Sequence, residues 1–305
     1  MYIPTDFYPL VYRLASRYNT LLLLSFFSKI SVSDSCQLVS DSGVAKAEKP
    51  FGDLFLLGIL SGAYIALAGA ASTMAAYNLL AHPDTFGLGR LIMGMIFPCG
   101  LILVAIAGAE LFTGNTMMML PLAQRRITLF AMLRNWGIVY VGNFIGAVGI
   151  ALLICFSGQL HIPPNDLFGR VTVTIAAVKC NFTFLEAFLL GILCNWLVCL
   201  AVWMAISTKE FAGKVLVIFF PICIFVTAGF EHSIANMYYI PVGLFAAQFS
   251  PHLLEAAQNA GVPLAVLSWQ NFFLMNLLPV TLGNIVGGGV CVALAYGYVH
   301  RKHEK

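Results

Sequence analysis

Charge is what this chain of 305 residues has least of. Only 10% of it is Asp, Glu, Lys or Arg, where a soluble domain carries about 25%. So apolar a chain cannot clothe a water-soluble globule of this size in polar surface. The net charge is only +3 and no long basic run exists, which excludes the electrostatic footprint of a nucleic-acid binder. Paired-cysteine signals are missing too. The eight cysteines (Cys36, Cys99, Cys155, Cys180, Cys194, Cys199, Cys223 and Cys291) include no C-x-x-C pair. Most sit in apolar runs and read as small buried hydrophobes, with no disulfide framework and no metal site. Enzyme signatures are also absent: there is no G-x-S-x-G, no H-E-x-x-H, no phosphate loop and no paired-histidine metal motif. No catalytic residue, cofactor or metal is therefore expected.

What the chain does have is apolar length. Hydrophobic residues make up 60% of it and the mean hydropathy is +0.89, which also excludes disorder. The class that remains is an all-α polytopic membrane protein. Apolar segments broken by short polar stretches predict six spans, at roughly 52–79, 91–120, 128–157, 183–207, 215–246 and 270–299. Residues 1–50 differ. Their apolar patch TLLLLSFFSKI (20–30) is shorter than the roughly 20 residues a span needs, and neither a compact basic start nor a small-residue cleavage site is clear. The segment is read as an N-terminal cytoplasmic extension, residues 51–300 as the six-helix transmembrane domain and 301–305 as a cytoplasmic tail. With the N-terminus inside, 13 of the 16 Lys and Arg residues fall in inside segments and 3 (Arg90, Arg170 and Lys179) outside. That bias predicts both termini in the cytoplasm, in the cell (inner or plasma) membrane.

The chain repeats itself. FLLGIL occurs at 55–60 and again at 188–193, followed at equal distance by Leu67-Ala68 and Leu200-Ala201. Ala107-Gly108-x-Glu110 with Asn115 matches Ala228-Gly229-x-Glu231 with Asn236. Asn135, Gly142, Asn143 and Gly146 match Asn276, Gly283, Asn284 and Gly287. Spans 1–3, roughly 51–157, thus recur as spans 4–6, roughly 183–299. Three spans per half is odd, so the second half must be inverted relative to the first. Spans 2 and 5 are each interrupted, at IAGAELFTGNTMMMLP (106–121) and VTAGFEHSIANMYYIP (226–241). Unpaired backbone is costly in hydrocarbon, so such breaks are expected only where protein or a cavity surrounds them. Inverted repeats with paired broken helices place a site near the bilayer midplane.

An ionisable residue inside a span marks function by default. His232 is the only histidine in a span core. Glu231 beside it, and Glu110 as its repeat mate, read as supports that accept backbone N–H groups or hold a contact, together with Asn115 and Asn236. Lys179, on the outer approach to span 4, is either a solvated lysine or an attractor for anions.

Three of these segments resemble a known family. GAELFTG (108–114) and GILCNWLVCLA (191–201) are similar to the two signature motifs of the formate/nitrite transporter family, and GFEHSIANM (229–237) resembles its central-histidine motif. The likeness covers roughly 50–300. It implies an aquaporin-like pentamer with one pore per subunit for small monovalent anions such as formate and nitrite. Residue by residue, it implies His232 as the central pore histidine and Thr113 and Asn195 as its hydrogen-bonding companions. Lys179 would be the lysine of the outer mouth. Phe97, Leu101, Leu111, Phe112 and Phe225 would form two apolar constrictions; Phe97 and Leu101, four apart, share a helix face. The long N-terminal stretch departs from the family's short amphipathic start.

Magnitudes favour passage as the neutral acid. Burying a bare carboxylate at low dielectric costs on the order of tens of kcal/mol. Protonating an acid of pKa ~4 at pH 7 costs roughly 4 kcal/mol. The expectation is therefore proton-coupled transport, with His232 or a water relaying the proton, or else a simple anion channel with a charged His232. The rival classes are an aquaporin-like neutral-solute pore, whose usual paired N-P-A turns are absent, and an intramembrane enzyme, for which Ser233 is the only nearby hydroxyl of that motif. Formate, nitrite, hydrosulfide and lactate share the needed chemistry, and bulky phenylalanines at the constrictions favour the smaller ions, formate first.

Overall fold

A computed structural model describes residues 32–162, 165–258 and 264–300, and every regular element among them is helical. Six helices are long and apolar enough to cross a membrane. We number the elements α1 (Val32–Glu48), α2 (Phe51–Leu80), α3 (Pro83–Ala107), α4 (112–123, three short helical turns), α5 (Leu129–Phe156) and α6 (Leu167–Cys180). Then follow α7 (Phe184–Ile206), α8 (Phe211–Ala228), α9 (Ser233–Phe249), α10 (Pro251–Gln258) and α11 (Trp269–Val299). The expected apolar patch at 20–30 and the tail at 301–305 lie outside the described residues.

Two boundaries differ from the sequence reading. The expected spans 91–120 and 215–246 are each interrupted as expected but begin earlier, at Pro83 and Phe211, and their first halves, α3 and α8, stop at Ala107 and Ala228. Glycine stops them both: Gly108 has φ 81° and Gly229 φ 83°. These left-handed values cost glycine nothing and any other residue strain. Three further helices were not anticipated. α1 falls in the supposed extension, α6 is the element that carries Lys179, and α10 lies between the fifth and sixth spans.

The chain packs by letting backbones approach closely. Gly58 and Gly62 of α2 face Gly142, Asn143 and Gly146 of α5, and a Cβ on Gly146 would stand 2.0 Å from the Ile59 carbonyl oxygen. The second half does the same: a Cβ on Gly283 of α11 would stand 2.1 Å from the Phe188 oxygen of α7. In lipid no hydrophobic force presses helices together, so small residues that allow this van der Waals contact hold them. α11 contains two π-helical stretches, Phe272–Leu277 and Val286–Leu294. The second presents Gly288 to Asn195 and Thr116; a Cβ there would come within 2.5 Å of the Asn195 amide nitrogen.

Gly146→Val is expected to abolish recovery of folded protein, because a backbone carbonyl occupies the space. Gly149→Ala, three residues along the same helix with nothing within 4 Å of its Cβ position, should be neutral. Size-exclusion profiles of the detergent-solubilised variants check the pair.

Candidate functional site

Each helix break leaves backbone N–H and C=O groups without intrahelical partners in a region remote from water. An asparagine from the third span of each half meets them. Asn143 accepts from the Phe112 N–H at 3.0 Å and donates to the carbonyls of Gly58 and Glu110. Asn284 accepts from the Ser233 N–H at 2.9 Å and donates to the carbonyls of Gly191 and Glu231. The Glu110 N–H bonds Leu57 O, and the Glu231 N–H bonds Leu190 O. The backbone at the two breaks superposes in angle as well: Leu111 has φ −110°, ψ 123°, and His232 has φ −110°, ψ 117°.

The buried carboxylates belong to the same scaffold. Lys46 Nζ lies 2.6 Å from Glu110 Oε2, and Lys179 Nζ lies 2.6 Å from Glu231 Oε1. Asn115 donates to Glu110 and to Asn135, while Asn236 donates to Glu231 and to Asn276. The circuits close when Asn135 donates to the Lys46 carbonyl and Asn276 to the Lys179 carbonyl. Lys46 is thus the counterpart of Lys179, and α1 the counterpart of α6. The sequence reading missed Lys46, although it precedes its FLLGIL segment by the same distance as Lys179 precedes the other. Lys49 adds a second cation on Glu110 at 2.6 Å, with no mate in the other half.

Two cavities meet these breaks from opposite sides. One, of about 460 Å³, is lined by Lys179, Arg90, Arg170, Glu231, Asn236, Tyr239, Phe97, Phe225 and His232. The other, of about 590 Å³, is lined by Lys46, Lys49, Lys209, Lys214, Glu110, Asn115, Leu101 and Leu111. Counting the charged lining residues, the first holds three cations and one carboxylate, a net +2, and the second four cations and one carboxylate, a net +3. Phe97 and Leu101, one turn apart on α3, belong to different cavities. The partition is therefore about one helical turn thick. Phe97 meets Phe225 edge-on at 5.7 Å, and Phe225 stacks on the His232 ring at 6.0 Å.

His232 sits in this partition with 3% of its surface exposed. It is the N-cap of α9: its Nδ1 accepts from the Ala235 N–H at 3.1 Å. A nitrogen that accepts a hydrogen bond carries no proton, so the ring is the neutral tautomer with its hydrogen on Nε2. Nε2 lies 3.0 Å from Thr113 Oγ1, which accepts that hydrogen and keeps its own O–H to donate. Adding a proton to Nδ1 would set two donors against each other and undo the cap.

The remaining expected residues divide. Asn195 does not reach the cavities. It is fully buried and donates to the carbonyls of Thr113 and Asn284 and to Thr116 Oγ1, fixing the Thr113 turn from behind. Phe112 lines neither cavity, contrary to the constriction role expected of it. Its ring packs edge-on against Trp136 and Tyr140 at 5.8 and 4.8 Å because the Asn143 bond turns residue 112 toward α5. Ser233 Oγ makes no hydrogen bond, so it forms no nucleophile–base pair with His232.

Known proteins share this architecture. The family model for formate/nitrite transporters matches residues 33–298. The formate channel FocA of Haemophilus influenzae is 42% identical over 250 residues, 82% of this chain and 87% of that protein. FocA of Escherichia coli K12 is 38% identical over 88% of this chain and 93% of its own. A solved pentameric formate channel with formate bound superposes with a TM-score of 0.74 at 38% identity, covering 83% of this chain and 98% of that one. These relatives are channels and transporters rather than enzymes. The chain belongs to the formate/nitrite transporter family.

Proposed function

We propose that the protein passes small monovalent anions of weak acids across a cell membrane, formate first and nitrite second, through a pore at His232. The observation that carries this reading is the pair of net-positive cavities set back to back across one turn of apolar side chains and a neutral histidine. Positive vestibules concentrate anions. The phenylalanine–leucine partition cannot solvate one. Each ring of Phe97 and Phe225 offers hydrocarbon where a carboxylate needs donors, and the polar pair beside them is the Nε2–H of His232 and the Thr113 hydroxyl it is bonded to. A neutral acid needs no more than that.

The proton then comes to the anion in the vestibule, where water is present and where desolvation makes the anion more basic. His232 orients the Thr113 hydroxyl through its Nε2–H, and that hydroxyl's own hydrogen is left to hold the acid in line. His232 also keeps the break in register through its cap, so it acts as a fixed donor. In a relay by a protonated imidazole, the other reading of this site, Nδ1 would have to release the Ala235 N–H on every cycle. The relatives described as formate channels support the choice of substrate. The pentameric neighbour supports a homopentamer with one pore per subunit. The odd number of spans in each matched half supports an inverted, aquaporin-like arrangement. The bias of 13 cationic residues against 3 supports both termini in the cytoplasm.

Uptake of labelled formate into proteoliposomes should be electroneutral and should rise about tenfold for each unit by which the external pH falls toward neutral from above, as the acid fraction does. A steady current carried by formate at constant pH would show that the bare anion crosses. His232→Asn retains a cap acceptor and an amide donor but cannot carry a proton. It should keep the same pH slope with uptake reduced no more than a few-fold. Loss of the slope would establish the relay instead. His232→Ala should lose both contacts, lowering stability by about 1 kcal/mol through the missing cap and uptake by at least tenfold, read by thermal denaturation and by flux.

A further inference from the structure

Outside the permeation path, metal-ligating side chains from two distant segments converge. His161 lies in the turn after α5, Asp166 caps the start of α6, and His252 is in the first turn of α10. Asp166 Oδ2 lies 2.9 Å from His252 Nε2 and 3.4 Å from His161 Nδ1. One ligating atom from each of the three residues lies within 4.8 Å of the other two. The two imidazole rings stack at 5.6 Å, and all three side chains are partly exposed.

Three features exceed what a surface histidine–aspartate contact needs. The first is spacing: tetrahedral ligands at 2.0–2.1 Å from a zinc-like ion stand about 3.3 Å apart, and the two measured separations bracket that value. The second is an outer partner: the far nitrogen of His161, Nε2, lies 3.2 Å from Ser250 Oγ. This is the kind of second contact that fixes the ring of a metal-bound histidine. The third is backbone: Asn165 and Asp166 both have φ 54°. Asn and Asp enter this left-handed region more readily than other non-glycine residues, and here the pair turns the chain into α6. That geometry is what aims the Asp166 carboxylate at both rings.

We propose that His161, Asp166 and His252 form a binding site for a divalent transition-metal ion of the zinc class, with a fourth position open to water. Two imidazoles and one carboxylate suit Zn²⁺, Co²⁺ or Ni²⁺, whereas Ca²⁺ and Mg²⁺ prefer all-oxygen shells. The ion would staple the α5–α6 connection to α10. α6 also supplies Leu167, Arg170 and Lys179 to the wall of the His232 cavity. A bound cation would therefore stiffen that wall and add positive charge beside an anion-collecting mouth. No spacing motif announced the site, because His252 lies far along the chain from the other two.

The test uses the full chain purified in detergent without an affinity tag, stripped with chelator and titrated with Zn²⁺ by calorimetry. One saturable site per chain is expected. Asp166→Ala and His252→Ala should remove it, and Ser250→Ala should weaken it by roughly tenfold. Co²⁺ should give the absorption of a tetrahedral nitrogen–oxygen site with no thiolate charge-transfer band, which sets it apart from cysteine binding. Formate uptake by metal-free variants confirms that they are folded. Absence of a saturable site, or a site that survives Asp166→Ala, overturns the proposal.

Discussion

A helix that ends inside a membrane must find partners for its backbone there, and everything at the centre of this protein depends on how that is done. Lipid offers none, so the partners have to come from the protein, and a side chain that serves both an N–H and a carbonyl has to donate and accept at once. Asn143 and Asn284 do this, each holding one N–H and two carbonyls across a helix break. An asparagine can reach them only because Gly58 and Gly142, and in the other half Gly191 and Gly283, bring the helices within backbone contact. Close packing and polar satisfaction are thus one requirement.

The comparison of halves separates scaffold from chemistry. At four matched positions that serve the break both halves use the same residue: Gly108 and Gly229, Glu110 and Glu231, Asn115 and Asn236, Lys46 and Lys179. Four positions at or behind the partition differ between the halves. His232 stands where the first half has Leu111, Thr113 where the second has Ile234, Asn195 where the first has Gly62, and Phe225 where the first has Val104. Identical backbone problems call for identical solutions in both orientations. The pore proposed here has only one centre, and its polar contact is made once.

Electrostatics then takes over from packing. Glu110 and Glu231 are needed to hold Lys46 and Lys179, and they cancel part of the attraction those lysines would exert. The cavities stay positive through residues with no carboxylate partner in them: Arg90 and Arg170 on one side, Lys209 and Lys214 on the other. The partition itself holds no net charge, since the cap on Nδ1 keeps His232 neutral. Attraction outside and neutrality inside is the combination that the proposed passage of an anion as its neutral acid calls for.

Much of this was legible in the chain. Apolar runs marked the six spans, because hydrocarbon tolerates nothing else over that length. The repeat marked which residues pair, and the interruptions at 106–121 and 226–241 marked the site, because polar residues survive there only in protein or beside a cavity. Other features depended on contacts between distant segments, which one-dimensional spacing does not encode. α1 looked like a polar extension until Lys46 met Glu110. Phe112 looked like a pore residue until Asn143 turned it toward Trp136. His161 and Asp166 looked unremarkable until His252 came beside them. Composition and periodicity determined that the chain spans a membrane in two matched halves, since those follow from solvent and from local backbone. The meeting of His232 with Thr113, the balance of charge in each cavity and the convergence on Asp166 were decided by the tertiary structure alone, because each is set by a neighbour that folding, not sequence order, supplies.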